Sequence, residues 1–125
     1  MRKGIVLGAC VLFGLATPAQ ETMITPVTDA MLQNPDPSDW LMWRRTLDSW
    51  GYSPLNQIDR ANVDALSLVW SRPLSEGVQE GTPLVYDGVM YMPNPRDVIQ
   101  AIDAATGDLL WEYRRQYADD LEPFF

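Results

Sequence analysis

The stretch Ala101-Ile102-Asp103-Ala104-Ala105-Thr106-Gly107-Asp108-Leu109-Leu110-Trp111 decides the fold. It reads as two β-strands joined by a tight reversal. Val98, Ile99, Ala101 and Ile102 make an apolar strand. Asp103 is suited to accept hydrogen bonds from the turn backbone, and Thr106-Gly107-Asp108 turns the chain back. Gly107 tolerates the positive φ that such a reversal often needs. Leu109, Trp111 and Tyr113 recur at a period of two, which places them on one face of the return strand. A large ring at the end of this hairpin, with the small Ala101 and Gly107 close by, suits docking against a neighbouring sheet.

Working outward, residues 83–86 read as a strand, Asp87-Gly88 as a strong hairpin turn and residues 89–92 as the return. Pro93-Asn94-Pro95-Arg96 reads as the next connection, and residues 98–102 and 108–113 complete four strands. Upstream, residues 61–66 hold a helical turn and residues 67–74 a strand with Leu68 and Trp70 on one side. Residues 40–58 are dense in aromatics (Trp40, Trp43, Trp50, Tyr52), and their spacing selects neither strand nor helix. Residues 20–39 form a polar arm. Thr28 is placed to cap a short helix ending at Leu32 or Gln33, which Pro35 and Pro37 stop. The fold class expected is all-β.

The 125 residues are 46% apolar and 21% charged, a globular balance, and ten prolines with eight glycines imply many turns and short strands. Arg2-Lys3 followed by an apolar run over residues 4–15 reads as a secretory signal, with cleavage after Ala19 or after Ala16. Leu7-Gly8-Ala9-Cys10 also resembles a lipobox, and an uncleaved anchor is a further alternative. The run is short for a stable membrane span. The domains expected are therefore a signal at 1–19, the arm at 20–39 and the start of a sheet domain at 40–125. Cleavage would leave seven cations, all arginine, against 17 acids, which argues against nucleic acid or anionic lipid as partner. There is no histidine, and Cys10 is the single cysteine. The segment after the signal therefore contains no Ser-His-Asp triad, Cys-His pair or zinc site.

The pattern Ala101-x-Asp103-x-x-Thr106-Gly107-x-x-x-Trp111 resembles the tryptophan-docking repeat of the pyrroloquinoline quinone (PQQ) propeller proteins. Asp39-Trp40-x-x-x-x-Arg45, Tyr52-Ser53-Pro54-Leu55-x-x-Ile58 and Asn62-Val63-x-x-Leu66-x-Leu68-x-Trp70 resemble the opening of the soluble quinoprotein alcohol dehydrogenases. The resemblance implies a partial β-propeller, about one four-stranded blade plus lead-in of an eight-bladed PQQ-type array. The strand at 67–74 would join a blade built from both chain ends. With one copy of the motif and an ending at Glu122-Pro123-Phe124-Phe125, the chain is expected to be a fragment of something several times longer.

Glu80-Gly81-Thr82-Pro83-Leu84-Val85 matches the family pattern in which the Glu contacts PQQ, so Glu80 is the cofactor-binding residue the resemblance implies. Gly81 would leave room for a planar ligand, and Thr82 adds a hydroxyl. The implied chemistry is alcohol oxidation: a carboxylate takes the hydroxyl proton, hydride passes to the quinone, and a calcium or lanthanide ion polarises its carbonyl. The catalytic base and the metal ligands would lie beyond Phe125, so no catalytic or metal residue is assigned in this chain. Implied partners are a small alcohol and an electron acceptor such as a c-type cytochrome, in a periplasmic location. Two alternatives are a non-enzymatic propeller scaffold of the outer-membrane assembly type and a membrane-anchored glucose-type dehydrogenase.

Overall fold

A computed structural model of the chain describes residues 25–118. The expected signal and Cys10 lie outside the described residues. Four strands follow one another as an antiparallel meander in the order β1 (Leu84–Tyr86), β2 (Val89–Asn94), β3 (Val98–Asp103) and β4 (Leu109–Arg114). The lead-in contributes one short helix, α1 (Asp29–Gln33), and a 3-10 turn at Val63–Ala65. The Thr28 hydroxyl accepts a bond from the Met31 N–H at 3.3 Å and caps α1 as expected.

Each turn shows its local chemistry. Asp87 and Gly88 are both left-handed, with φ of 49° and 75°, as a two-residue hairpin between right-twisted strands requires. In the β3–β4 turn the Asp103 carboxylate accepts from the N–H groups of Ala105 and Thr106, both at 2.9 Å. The Thr106 hydroxyl donates to the Asp108 carboxylate. Gly107 sits at φ 78°.

The bonds to Asp103 favour its ionised form. The Thr106 N–H contributes most, then that of Ala105, and together they hold the carboxyl below the ordinary value of 3.8. Because the folded-state value is depressed, the stabilisation is present above 3.8 and is lost as pH falls through the lower folded-state value. Asp103→Asn keeps an acceptor but does not titrate. The stability difference between the wild type and this variant should hold steady from neutral pH to about pH 4 and shrink below it. A difference unchanged through acid unfolding would show that the carboxylate does not hold the turn.

Three expectations are corrected. First, β2 runs on through Pro93 and Asn94, paired with Ile99 and Val98, so the connection is residues 95–97. Second, β4 carries a bulge: Ala101 pairs with Trp111 but Ile102 pairs with Leu109. Ala101 and Ile102 face opposite sides, so the extra residue Leu110 removes Leu109 from the face that holds Trp111 and Tyr113. Third, residues 67–74 form no strand, and Leu68 and Val69 are about four-fifths exposed. A strand needs a neighbouring ladder, and none lies beside this stretch among the described residues.

One face of the sheet carries the row Leu84, Tyr91, Ala101, Trp111, set side by side by the register. Ala101 is fully buried beneath the Tyr91 and Trp111 rings, whose centroids lie 6.1 Å apart. The other face carries Val98, Gln100 and Ile102, all buried. The lead-in crosses it. The Trp70 indole N–H donates to the Ala104 carbonyl at 3.1 Å, and Arg72 Nε donates to Gln100 Oε1 at 3.3 Å. Gln100 in turn donates to Glu112 at 2.7 Å.

Candidate functional site

The sheet narrows at the start of β1, where Glu80 lies. The Val85 N–H and C=O bond to Trp40, at 3.0 and 2.8 Å, on the side away from β2. In an antiparallel ladder this orientation alternates, so Leu84 and Tyr86 direct their N–H and C=O at β2, and Val89, Tyr91 and Pro93 direct theirs at β1. The Pro93 nitrogen carries no hydrogen, so a Thr82–Pro93 pair would lose one of its two ladder bonds, and β1 begins at Leu84. The free Pro93 carbonyl accepts instead from the Gln79 side-chain amide. A β-carbon on Gly81 would lie 2.2 Å from Pro93 Cγ. Gly81 is thus a point of close approach, and its open side is filled by the Pro93 ring. The expected room for a planar ligand over Gly81 is not there.

Glu80, between these two pinned residues, is exposed. Thr82 lines a neighbouring cleft of about 370 Å³ between the lead-in and β1, whose walls include Ser38, Asp39, Trp40, Ser53 and Val85. Asp39 is buried, and its carboxylate accepts from the Asp87 N–H at 3.1 Å. With the Trp40–Val85 bridge, this bond closes the free edge of β1. The Arg45 guanidinium is also buried and donates to the Pro35 and Asp36 carbonyls, which ties the arm to the aromatic segment.

At the same end of the sheet, Arg96 and Asp97 are consecutive left-handed residues, with φ of 64° and 52°. The Asp97 carboxylate accepts from the Tyr117 hydroxyl and from Arg115. The Tyr117 bond first, and the Arg115 guanidinium after it, hold the Asp97 carboxyl below its ordinary range. Among the described residues, no three His, Cys, Asp or Glu side chains gather as a metal site, and no helix is long and apolar enough to cross a membrane.

The sequence singles out Glu80 and Thr82 and places Asp39 in the opening motif, but it does not reveal the part played by Pro93 or the partner of Asp39. A proline inside a segment otherwise readable as a strand was the available signal for the first. The partner of Asp39 had no local signal, because it lies 48 residues away.

A four-stranded meander with the tryptophan on its last strand and a Gln-Glu-Gly-Thr-Pro run leading into its first is one blade of a PQQ-type β-propeller with its lead-in. The family model described as PQQ, "Glucose/ethanol/alcohol dehydrogenase, beta-propeller domain", matches residues 40–123, and the chain belongs to that family. It is 50% identical over 78 residues to the dehydrogenase subunit of alcohol dehydrogenase (quinone) from Gluconacetobacter polyoxogenes, covering 62% of this chain and 11% of that protein. It is 41% identical over 116 residues to quinohemoprotein alcohol dehydrogenase ADH-IIG of Pseudomonas putida, covering 88% of this chain and 16% of the relative. The solved structure of that enzyme superposes with a TM-score of 0.62 at 42% identity over 70% of this chain and 13% of the other. A europium-containing methanol dehydrogenase superposes with a TM-score of 0.63 at 29% identity, over 71% of this chain and 16% of the other. The chain thus spans about one sixth or less of the relatives it matches.

Proposed function

We propose that this chain is the opening part of an exported quinoprotein that oxidises a small alcohol, with Glu80 as a contact to PQQ. The observation that carries the reading is an intact Glu-Gly-Thr-Pro-Leu-Val motif whose glutamate is presented, exposed, at the start of the blade's first strand. Two residues on, Thr82 lines a largely apolar cleft beside β1, with Trp40, Leu55, Pro83 and Val85 in its walls, which offers a flat ring a surface close to Glu80. The same surroundings do not fit one stacked on Gly81, which the Pro93 ring covers. When bound, PQQ supplies the two-electron acceptor for the alcohol. Glu80 orients: its carboxylate accepts a hydrogen bond from a donor on the ligand or its hydration shell. A base for the alcohol proton, and the ligands of a calcium or lanthanide ion, are proposed to come from the rest of the polypeptide.

The names of the relatives favour a dehydrogenase over a non-enzymatic scaffold. The quinohemoprotein among them supports a haem protein, such as a c-type cytochrome, as electron acceptor. The charged and then apolar start of the chain supports export to the periplasm. Intact-mass measurement of the exported protein should show loss of the residues up to Ala16 or up to Ala19. A product that begins at Met1 would overturn export by a cleaved signal.

The test of the site is a titration of PQQ into metal-loaded, cofactor-free full-length protein, with alcohol-dependent dye reduction as second readout. Glu80→Ala should weaken PQQ binding by about 1–3 kcal/mol, the range for losing a hydrogen bond to a charged group, and Glu80→Gln by less. Equal affinity and rate in Glu80→Ala would return this residue to the solvated carboxylates. A wild-type protein that binds no PQQ would overturn the function itself.

A further inference from the structure

We infer that Pro93 is the positioning residue for Glu80: by ending the β1–β2 ladder two residues early, it takes the 79–81 segment out of the ladder, holds it against its own ring and carbonyl, and directs Glu80 outward. The inference rests on the reading of Glu80 as a cofactor contact, but its mechanism is independent of it. Pro93 stands in a strand with neighbours on both sides, a place where proline is rare because it cannot donate. Its nitrogen faces the side on which Thr82 would pair, so that pair would have one bond instead of two, and the ladder ends at Leu84–Tyr91. The two residues flanking Glu80 are then both held on Pro93. Gln79 bonds its carbonyl, and Gly81 lies against its ring so closely that a β-carbon would come within 2.2 Å of Cγ. With both neighbours pinned and no room for a side chain between segment and ring, the backbone at Glu80 has little freedom to turn its carboxylate inward.

The device makes a coupling prediction. In the full-length protein, Gly81→Ala meets the ring and should raise the Kd for PQQ at least tenfold. In a Pro93→Ala background Cγ is gone and only Cβ remains, 3.0 Å from the new β-carbon, so the same Gly81→Ala change should have a clearly smaller further effect. Pro93→Ala alone regains an N–H that can pair with the Thr82 carbonyl. It should slow amide hydrogen exchange at Thr82, give a protected amide at position 93 where the wild type has none, leave Tm unchanged or higher, and raise the Kd for PQQ several-fold. That combination separates positioning from simple destabilisation. Should Gly81→Ala fail to fold, Gln79→Ala serves in its place: it removes the bond to the Pro93 carbonyl and should raise Kd several-fold at unchanged Tm. Equal effects of Gly81→Ala with proline or alanine at 93, or unprotected amides at 82 and 93 in Pro93→Ala, would overturn the inference. Unchanged PQQ affinity in Glu80→Ala would instead overturn the role of Glu80, while the exchange measurement still reports on Pro93.

Discussion

Trp111→Ala is expected to destabilise the full-length protein by about 3–5 kcal/mol, the range for truncating a large core aromatic. The ring lies across Ala101 from Tyr91, and Ala101 is completely buried beneath the pair. Within this blade alone Trp111 remains 43% exposed, and Leu84, Ile99 and Tyr113 are partly exposed on the same face. That face has the composition of a surface covered by a neighbouring sheet, so most of the loss depends on contacts made in the assembled propeller. Chemical denaturation of the wild type and the variant reads it directly. A loss under about 1 kcal/mol, small even for a partly buried side chain, would show that the ring docks against nothing.

Gly107→Ala should cost about 2–5 kcal/mol, for two separable reasons. The backbone sits at φ 78°, where an L side chain costs about 1–2 kcal/mol. In addition, the new β-carbon would lie 2.6–2.8 Å from the Trp70 ring, and overpacking of this kind costs about 1–3 kcal/mol. Trp70 cannot simply step aside, because its indole N–H is bonded to the Ala104 carbonyl. The two parts are told apart with a second substitution: in a Trp70→Ala background the steric part should vanish and the backbone part remain. A Gly107→Ala protein as stable as the wild type would mean that the lead-in does not rest on this turn.

These two positions also show how the chain can be read from its residues. Gly107 was recognisable as a turn glycine from its neighbours Thr106 and Asp108, because turn chemistry involves three or four consecutive residues. Its second task, leaving space for the Trp70 ring, was invisible, because Trp70 arrives from the lead-in by a route no local pattern encodes. The period of two in Leu109, Trp111 and Tyr113 was genuine for the last two and broken at the first, since a bulge adds a residue without changing composition. The strand read at 67–74 has suitable residues and no ladder to join among the described ones.

What the sequence by itself determined is therefore what short-range chemistry controls: the Thr28 cap, the Asp87-Gly88 reversal, the Asp103 turn, four strands, and a glutamate placed before the first of them. Only the tertiary structure decided that Asp39 and Trp40 close the free edge of β1, that Trp70 lies on Gly107, and that Pro93 holds the residues beside Glu80. The physical reason is range. A cap or turn is settled by groups a few bonds apart, whereas an edge bridge or a ring on a glycine joins segments tens of residues apart, and the choice among many possible partners is made by packing the whole blade at once.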